Sequence, residues 1–301
     1  MESFGKSSLN PAKLEYLLCG ISNLQFKTHH VQSVLISSDV NRVTVTSLKA
    51  QMESLRRSVR MRSETDKRLS PLWAFIPLLS FAIIASVAVA WGVWWEGWVF
   101  EEITTTHAIF ITVMALTSVI SALLLLILIY MLIKRRNEHF KRHQLLEEDI
   151  IRVINLSAGK KRSKIEDKLT SIELSSREAK LNEKEQSAFL WAILCFFIPF
   201  VGLYVGYFLM RDFYRHERRE DFFLEDLEKT ANPIVALELP RRFHQTPDRN
   251  IILYIVLTIL TAGLFGIYWL YTLIVDPNNH FDHQFAWENK LLSSLSKKTR
   301  A

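Results

Sequence analysis

Four long apolar blocks without a charged side chain constrain the fold of this chain more than any other feature. They span Pro71–Trp95, Ala108–Ile133, Ala188–Met210 and Ile251–Val275. A helix needs roughly 20 apolar residues to cross a hydrocarbon core about 30 Å thick, so each block is long enough. We therefore expect an all-α, polytopic membrane protein with about four transmembrane helices in the lipid bilayer of the cell membrane.

Basic residues beside the blocks predict the orientation, because Lys and Arg accumulate in cytoplasmic loops. The segments before the first block and after the second are rich in arginine, whereas the turn between them contains glutamates and no Lys or Arg. We expect a transmembrane hairpin at 70–133 with both ends cytoplasmic. The N and C termini of this multi-pass chain are then cytoplasmic as well.

The third and fourth blocks leave two arrangements open. We expect both to cross the membrane fully, although crossing would place several arginines after the third block on the outside. In the alternative, each block is a helical hairpin that enters the bilayer and turns back. The residues that could mark such turns are Pro199, Gly202, Gly206, Gly263 and Gly266.

The charge pattern divides the chain into four regions. An N-terminal cytoplasmic helical region, 1–69, precedes the hairpin, and a basic helical linker, 134–187, follows it. The remainder, 188–301, holds two further membrane segments, 188–210 and 251–275, with amphipathic connecting and C-terminal helices. In the linker, helical spacing of apolar residues predicts two helices separated by Gly159.

A motif recurs after the membrane blocks and indicates an internal repeat. Phe140–Glu147 and Phe213–Glu220 both read F-x-R-H-x-x-x-E. A looser copy begins at Phe281, continues with His283 and ends at Glu288. The pattern predicts a membrane segment with an amphipathic tail that is used three times. Alternatively, it is what any basic, aromatic helix at a membrane surface would show.

The segment RNIILYIVLTILTAGLFGIYWLY, which begins at Arg249, resembles a prokaryotic membrane domain of unknown function. That family reads R-N-x-x-x-Y-x-x-L-x-x-x-T-x-G, followed by aromatic-Gly and Y-W-x-Y. The resemblance covers about 30 residues, the length of one membrane segment with its flanks. It implies a bacterial or archaeal membrane protein, and it carries no activity and no functional residues.

Histidines at metal-ligand spacing follow the membrane blocks. The candidates are His139, His143, His216, His280 and His283. Paired histidines can bind a metal ion, and this spacing resembles the histidine boxes of membrane di-iron desaturases, but the characteristic H-x-x-H-H doublets are missing. We therefore favour a role for these side chains at the lipid headgroups, where amphipathic groups settle, and predict no metal, cofactor or catalytic site.

Small residues at four-residue spacing predict close helix packing within the membrane. Gly202 and Gly206 form a G-x-x-x-G motif, and Ala82, Ser86 and Ala90 form a second small face. Gly263 and Gly266 are further packing positions in the fourth block. Such faces allow close packing either within one chain or between copies of it.

The net charge of +6 resides mainly beside the membrane blocks, where basic residues attract anionic lipid headgroups. Aromatic residues that would stack on bases are nearly absent from 141–187, so we expect no nucleic-acid partner. The pattern favours a non-enzymatic membrane scaffold or interaction subunit, acting as a homo-oligomer or with a membrane-complex partner. The alternatives are a channel or transporter subunit, and a metal-dependent membrane enzyme that uses the cytoplasmic-side histidines.

Overall fold

The computed structural model describes residues 45–78, 105–198 and 200–300, and every element in this part of the chain is helical. Two compact units divide the chain between Gln51 and Met52, and the features below belong to the second unit. The helices that it contains are α1 (52–60, the part in this unit of a helix that begins at 45), α2 (Arg62–Thr65), α3 (Thr105–Ala158), α4 (Arg162–Asn182), α5 (Ala188–Phe197), α6 (Val201–Ala231), α7 (Ile251–Leu260) and α8 (Leu264–Arg300).

Helix α3 has 54 residues and forms the longest element. Among the described residues, its apolar half is the one stretch that is long and apolar enough to cross a membrane, and 22% of that stretch is buried within the protein. The large apolar side chains Leu116, Val119 and Leu123 are exposed along it. The expected membrane segment 108–133 is thus helical, whereas most of its proposed hairpin partner, including Ala82, Ser86 and Ala90, lies outside the described residues.

The third apolar block reverses direction. Ser187 caps α5, and its hydroxyl accepts a hydrogen bond from the backbone N–H of Leu190. After a short break, α6 runs back along α5, so that the Trp191 ring lies 5.2 Å from Tyr204 and 5.7 Å from Phe208. Residues equally far on either side of the break meet, which is the geometry of a helical hairpin.

The fourth block reverses in the same way between α7 and α8. Tyr254 lies 5.1 Å from Phe265 and 5.5 Å from Trp269, measured between ring centroids. The turn requires positive φ angles at Ala262 (49°) and Gly263 (93°), and glycine adopts this conformation without the steric cost that a Cβ brings.

Blocks three and four are thus each divided into two helices, as in the hairpin alternative, and their full crossing of the membrane stays a prediction. Helices α5 and α7 have 10 residues each, which corresponds to about 15 Å, half the thickness of the hydrocarbon core. Gly263 lies at a turn, but Gly202, Gly206 and Gly266 lie within helices. Pro199 lies outside the described residues.

The polar halves of α3, α6 and α8 continue from these apolar ends and pack together with α2 and α4. Ser58 of α1 donates a hydrogen bond to Asp149 of α3 at 2.6 Å. The predicted apolar stripes of the linker are buried, including Ile150 and Val153 on α3 and Ile165 and Leu169 on α4. The predicted break at Gly159 is confirmed, since its φ angle of 47° interrupts the chain between the two helices.

Arg135 of α3 supports an irregular turn in α8. Pro277 lies inside that helix and has no N–H, so the carbonyl of Leu273 loses its helical partner. The guanidinium of Arg135 donates to this carbonyl at 3.0 Å. Arg135 thus joins α3 to α8 about one helical turn before His139.

Candidate metal centre

Three histidines from the three long helices meet in the interior. His139 comes from α3, His216 from α6 and His280 from α8, and each is 0–2% exposed. The Nε2 atom of His139 lies 3.2 Å from that of His216 and 3.1 Å from that of His280. The ring centroids are 5.0 to 5.2 Å apart, so the three imidazoles converge on one point.

The internal repeat explains why these helices meet in register. Phe140, Phe213 and Phe281 form one buried cluster of their own. Seven residues after each phenylalanine, which is close to two helical turns, stands a glutamate that is at most 5% exposed. These glutamates are Glu147, Glu220 and Glu288. The repeated motif therefore builds successive layers across three helices.

The looser third copy of the motif has a different alignment from the predicted one. Three residues after each phenylalanine the buried residues are His143, His216 and Gln284. His283 lies one position earlier, and its Nε2 atom is 3.1 Å from the carbonyl oxygen of Pro240. The structure thus excludes His283 from the cluster and puts His280 in it, one residue before Phe281.

A carboxylate faces the outer nitrogen of two of the histidines. The Nδ1 atom of His139 lies 3.0 Å from Asp66 Oδ1, and that of His216 lies 2.8 Å from Glu183 Oε1. Ionised carboxylates only accept hydrogen bonds, so both Nδ1 atoms carry a proton. Histidines that ligate metals are held in this way, because the outer N–H bond fixes the tautomer and the ring orientation.

The third histidine has a mixed outer environment. The carboxylates of Glu217 and Glu220 each lie 3.7 Å from His280 Nδ1. The guanidinium of Arg242 lies 3.3 Å from the same atom and also pairs with both glutamates. Arg242 therefore offsets part of the negative charge around this ring.

The inner nitrogens need a cation between them. With Nδ1 protonated on His139 and His216, the neutral rings would direct two lone pairs at each other across 3.2 Å. Either a proton on the inner nitrogen of one ring or a metal ion removes this repulsion. The pKa values identify the ring that takes the proton when no metal is bound.

Burial separates the pKa values of the three rings. It lowers the pKa of His139 and His280 well below the ordinary value. Burial would also lower the pKa of His216, but the adjacent carboxylate of Glu183 outweighs it and raises that pKa. Burial opposes ionisation of Glu183 too, yet His216 and Arg219 lower its pKa to about 2. In the metal-free cluster, His216 is thus the ring that takes up a proton most readily.

The inner nitrogens fit a transition metal. Zinc–nitrogen bonds of 2.0–2.1 Å in tetrahedral geometry separate the ligand atoms by about 3.3 Å, close to the two Nε2 separations. One donor atom from each of the three rings lies within 4.8 Å of the others. The sequence-based expectation that these histidines lie at lipid headgroups is wrong, because they are enclosed by protein.

Sequence reasoning missed the outer carboxylates. Asp66 follows the short helix α2, and Glu183 directly follows α4, so both belong to segments far from the histidines in sequence. Neither shows a motif. The seven-residue spacing from phenylalanine to glutamate points to Glu147, Glu220 and Glu288 instead.

Comparison with known proteins adds nothing to this picture: no family model, no curated protein and no solved structure matches the chain. The resemblance of the segment from Arg249 to a prokaryotic membrane domain stays a prediction. The function is therefore inferred from the chemistry of the site.

Proposed function

We propose that this chain is a membrane-embedded protein that binds one divalent transition-metal ion between His139, His216 and His280. The convergence of three buried Nε2 atoms, with carboxylates behind the rings of His139 and His216, carries the proposal. Imidazole ligands suit Zn²⁺, Cu²⁺, Fe²⁺ and Ni²⁺. The metal joins α3, α6 and α8 at one point.

A structural role for the metal is favoured over a catalytic one. The three rings are almost completely enclosed, so a substrate would have to displace packed side chains to reach the metal. The predicted scaffold or interaction role therefore stays our proposal, with the metal as the link that fixes its three long helices. The channel and metalloenzyme alternatives lack an observation that favours them.

We also propose that α3 crosses the membrane and that the two hairpins enter it only halfway. Their tips expose large apolar side chains, with Phe197 73%, Phe200 79% and Leu260 75% exposed. A tip about 15 Å from the hairpin base would reach the bilayer centre. The histidine layer then lies on the cytoplasmic side, where the surrounding basic residues meet anionic headgroups.

The test is metal content measured on protein purified in detergent without a histidine tag. We expect dialysed wild-type protein to retain zinc at a stoichiometry of at least one, and Co²⁺ in place of zinc to give the visible absorption of a tetrahedral site. His139→Asn and His280→Asn should lose this ion. The matched control, His283→Asn, changes a histidine on the same helix as His280 and should keep it.

The proposal fails if the wild-type protein holds no metal, or if His280→Asn holds as much as the wild type. Thermal unfolding supplies a second readout, because an ion that binds only the folded state raises its stability. A chelator should lower the unfolding temperature of the wild type and of His283→Asn. It should leave that of His139→Asn unchanged.

A further inference from the structure

We infer that Arg242 regulates the metal site: it holds His280 in the tautomer that cannot ligate, and it must give up its contact with that ring before a metal ion binds. This inference rests on the proposed metal-binding function and adds a residue that opposes it. It starts from the position of the proton on His280, which two neighbours of the ring indicate independently.

The outer contact of His280 leaves no place for a proton on Nδ1. The Nη1 atom of Arg242 lies 3.3 Å from this nitrogen, and a guanidinium has donors and no acceptor. Two N–H groups that faced each other at this distance would repel. The Nδ1 atom therefore presents its lone pair to Arg242 and accepts the hydrogen bond.

The inner contact of His280 indicates the same tautomer. Asp66 holds the Nδ1 proton of His139, so the Nε2 atom of that neutral ring is an acceptor. This acceptor lies 3.1 Å from the Nε2 atom of His280. A hydrogen bond between the two rings needs a proton on His280 Nε2, which is the tautomer that Arg242 also requires.

This tautomer is the wrong one for a metal ligand. A metal ion binds the lone pair of an imidazole nitrogen, and in His280 the inner nitrogen carries the proton instead. Ligation needs the proton on Nδ1 with an acceptor behind it, as His139 has in Asp66. The proton of His280 must therefore move from Nε2 to Nδ1 when the metal binds.

Acceptors for a proton on Nδ1 lie close to the ring, but Arg242 occupies them. The Oε2 atoms of Glu217 and Glu220 are each 3.7 Å from His280 Nδ1. The same two oxygens pair with the guanidinium of Arg242. A small movement of either carboxylate would bring it to hydrogen-bond distance from the ring, about 2.7–3.2 Å. Arg242 and a metal-bound His280 thus compete for the same oxygens.

Arg242 keeps a partner when it leaves the ring. Its Nε atom lies 3.1 Å from Oδ1 of Asp221, whose side chain is 29% exposed. The arginine belongs to the non-helical connection of α6 to α7, and Thr246 ties this connection to Glu217 by two hydrogen bonds. Rotation of the guanidinium toward Asp221 can therefore free the ring of His280 without unfolding the connection.

Zinc titration of the metal-free protein in detergent tests this role. Hydrogen bonds behind a ligating histidine change metal affinity by about 10–100-fold, so Arg242→Met should bind zinc about tenfold more tightly than the wild type. Arg242→Lys, whose ammonium also only donates, should stay near the wild-type affinity. The matched control is Arg241→Met, which removes a neighbouring exposed cation and its pair with Glu228 and should leave the affinity unchanged.

The tautomer of His280 supplies a second readout in the wild-type protein. Nitrogen NMR of protein with isotope-labelled histidine distinguishes a protonated ring nitrogen from a bare one, and the signals of this ring are those lost in His280→Asn. We expect the proton on Nε2 in the metal-free protein and on Nδ1 after zinc is added. His139 should carry its proton on Nδ1 in both states.

The outcomes separate the two proposals. A wild-type protein that binds no zinc overturns both. A wild-type protein that binds zinc, but whose metal-free His280 already carries its proton on Nδ1, overturns the role of Arg242 and leaves the metal site. An Arg242→Met variant that folds and binds zinc as weakly as the wild type does the same. If that variant does not fold, the tautomer before and after zinc addition decides the question.

Discussion

The two ends of the long helices follow opposite rules of burial. At the apolar end, large side chains such as Leu123 of α3 and Leu264 of α8 are exposed. In the histidine layer of the same helices, charged groups such as Arg142 and Glu288 are fully buried. Exposed apolar groups are favourable only in an apolar solvent, and buried charges are tolerated only when paired. The proposed membrane location accounts for this difference, with lipid stabilising one end and ion pairing the other.

The largest expected effect comes from breaking an ion pair in the histidine layer. Arg142 lies 2.7 Å from a carboxylate oxygen of both Asp66 and Glu288. Arg142→Met leaves two buried carboxylates without this partner, so we expect the free energy of unfolding to fall by about 3–5 kcal/mol. Lys180→Met removes an exposed pair with Glu148 and should cost about 0–1 kcal/mol. Denaturant titrations in detergent that give equal losses would contradict the comparison.

A charge at the apolar end tests whether lipid covers it. Phe200→Lys places an ammonium at a hairpin tip, and at the bilayer centre this costs about 2.5–3.5 kcal/mol. Phe243→Lys is the control, since Phe243 is 96% exposed in the loop that follows α6. We expect Phe200→Lys to lower the unfolding free energy in nanodiscs and not in detergent. Equal effects of both variants would place the tips in water.

Substitutions of glycine in α6, between the apolar end and the histidine layer, should change the stability less. A Cβ atom on Gly206 would lie 2.9 Å from the ring of Trp269, whereas one on Gly202 would meet nothing within 4 Å. We expect Gly206→Ala to destabilise the protein by about 1–3 kcal/mol through overpacking. Gly202→Ala in the same helix should be neutral or slightly stabilising. Thermal unfolding of the two variants side by side measures the difference.

The smallest expected effect is the number of protons that the protein releases when it binds zinc. The pKa of His216 is raised, so this ring carries a proton in the metal-free protein at pH 6.5, whereas His139 and His280 are neutral because burial lowers their pKa values. A metal ion displaces the proton, so zinc binding to the three-histidine site should release about one proton per ion. Affinity falls as pH drops below the pKa of His216 and levels off above it.

Calorimetry in buffers of different ionisation enthalpy measures this release. Glu183→Gln removes the carboxylate that raises the pKa of His216. Burial then lowers this pKa, and the proton release at pH 6.5 should fall toward zero. An unchanged release would show that another group supplies the proton.

Local patterns predicted the helices well. The apolar spacing of the linker, the break at Gly159 and the repeated phenylalanines all appear in the structure, because helix period and glycine conformation depend on neighbouring residues. The hairpins were the less favoured of two arrangements. Composition alone does not distinguish a helix that crosses a bilayer from two halves that reverse at its centre.

Local sequence patterns could not predict the cluster of three histidines. His139 is 77 residues from His216 and 141 residues from His280, and an amphipathic face of arginine, histidine and phenylalanine can turn either to headgroups or inward. Only the packing of three helices decides which. The third copy of the motif was misaligned because His283 was taken as its histidine. Gln284, three residues after Phe281, occupies the position equivalent to His143 and His216.

The seven-residue spacing from phenylalanine to glutamate also limits how this protein can change over generations. One inserted residue between Phe213 and Glu220 would rotate the glutamate by about 100° around its helix, away from its two counterparts, and the other helices cannot follow. Insertions between Asn232 and Asn250, the non-helical connection of α6 to α7, leave the spacing within each helix unchanged, provided that Arg242 keeps its contacts with Glu217 and Glu220. We therefore expect related chains to differ in length within that connection and to keep the three spacings fixed.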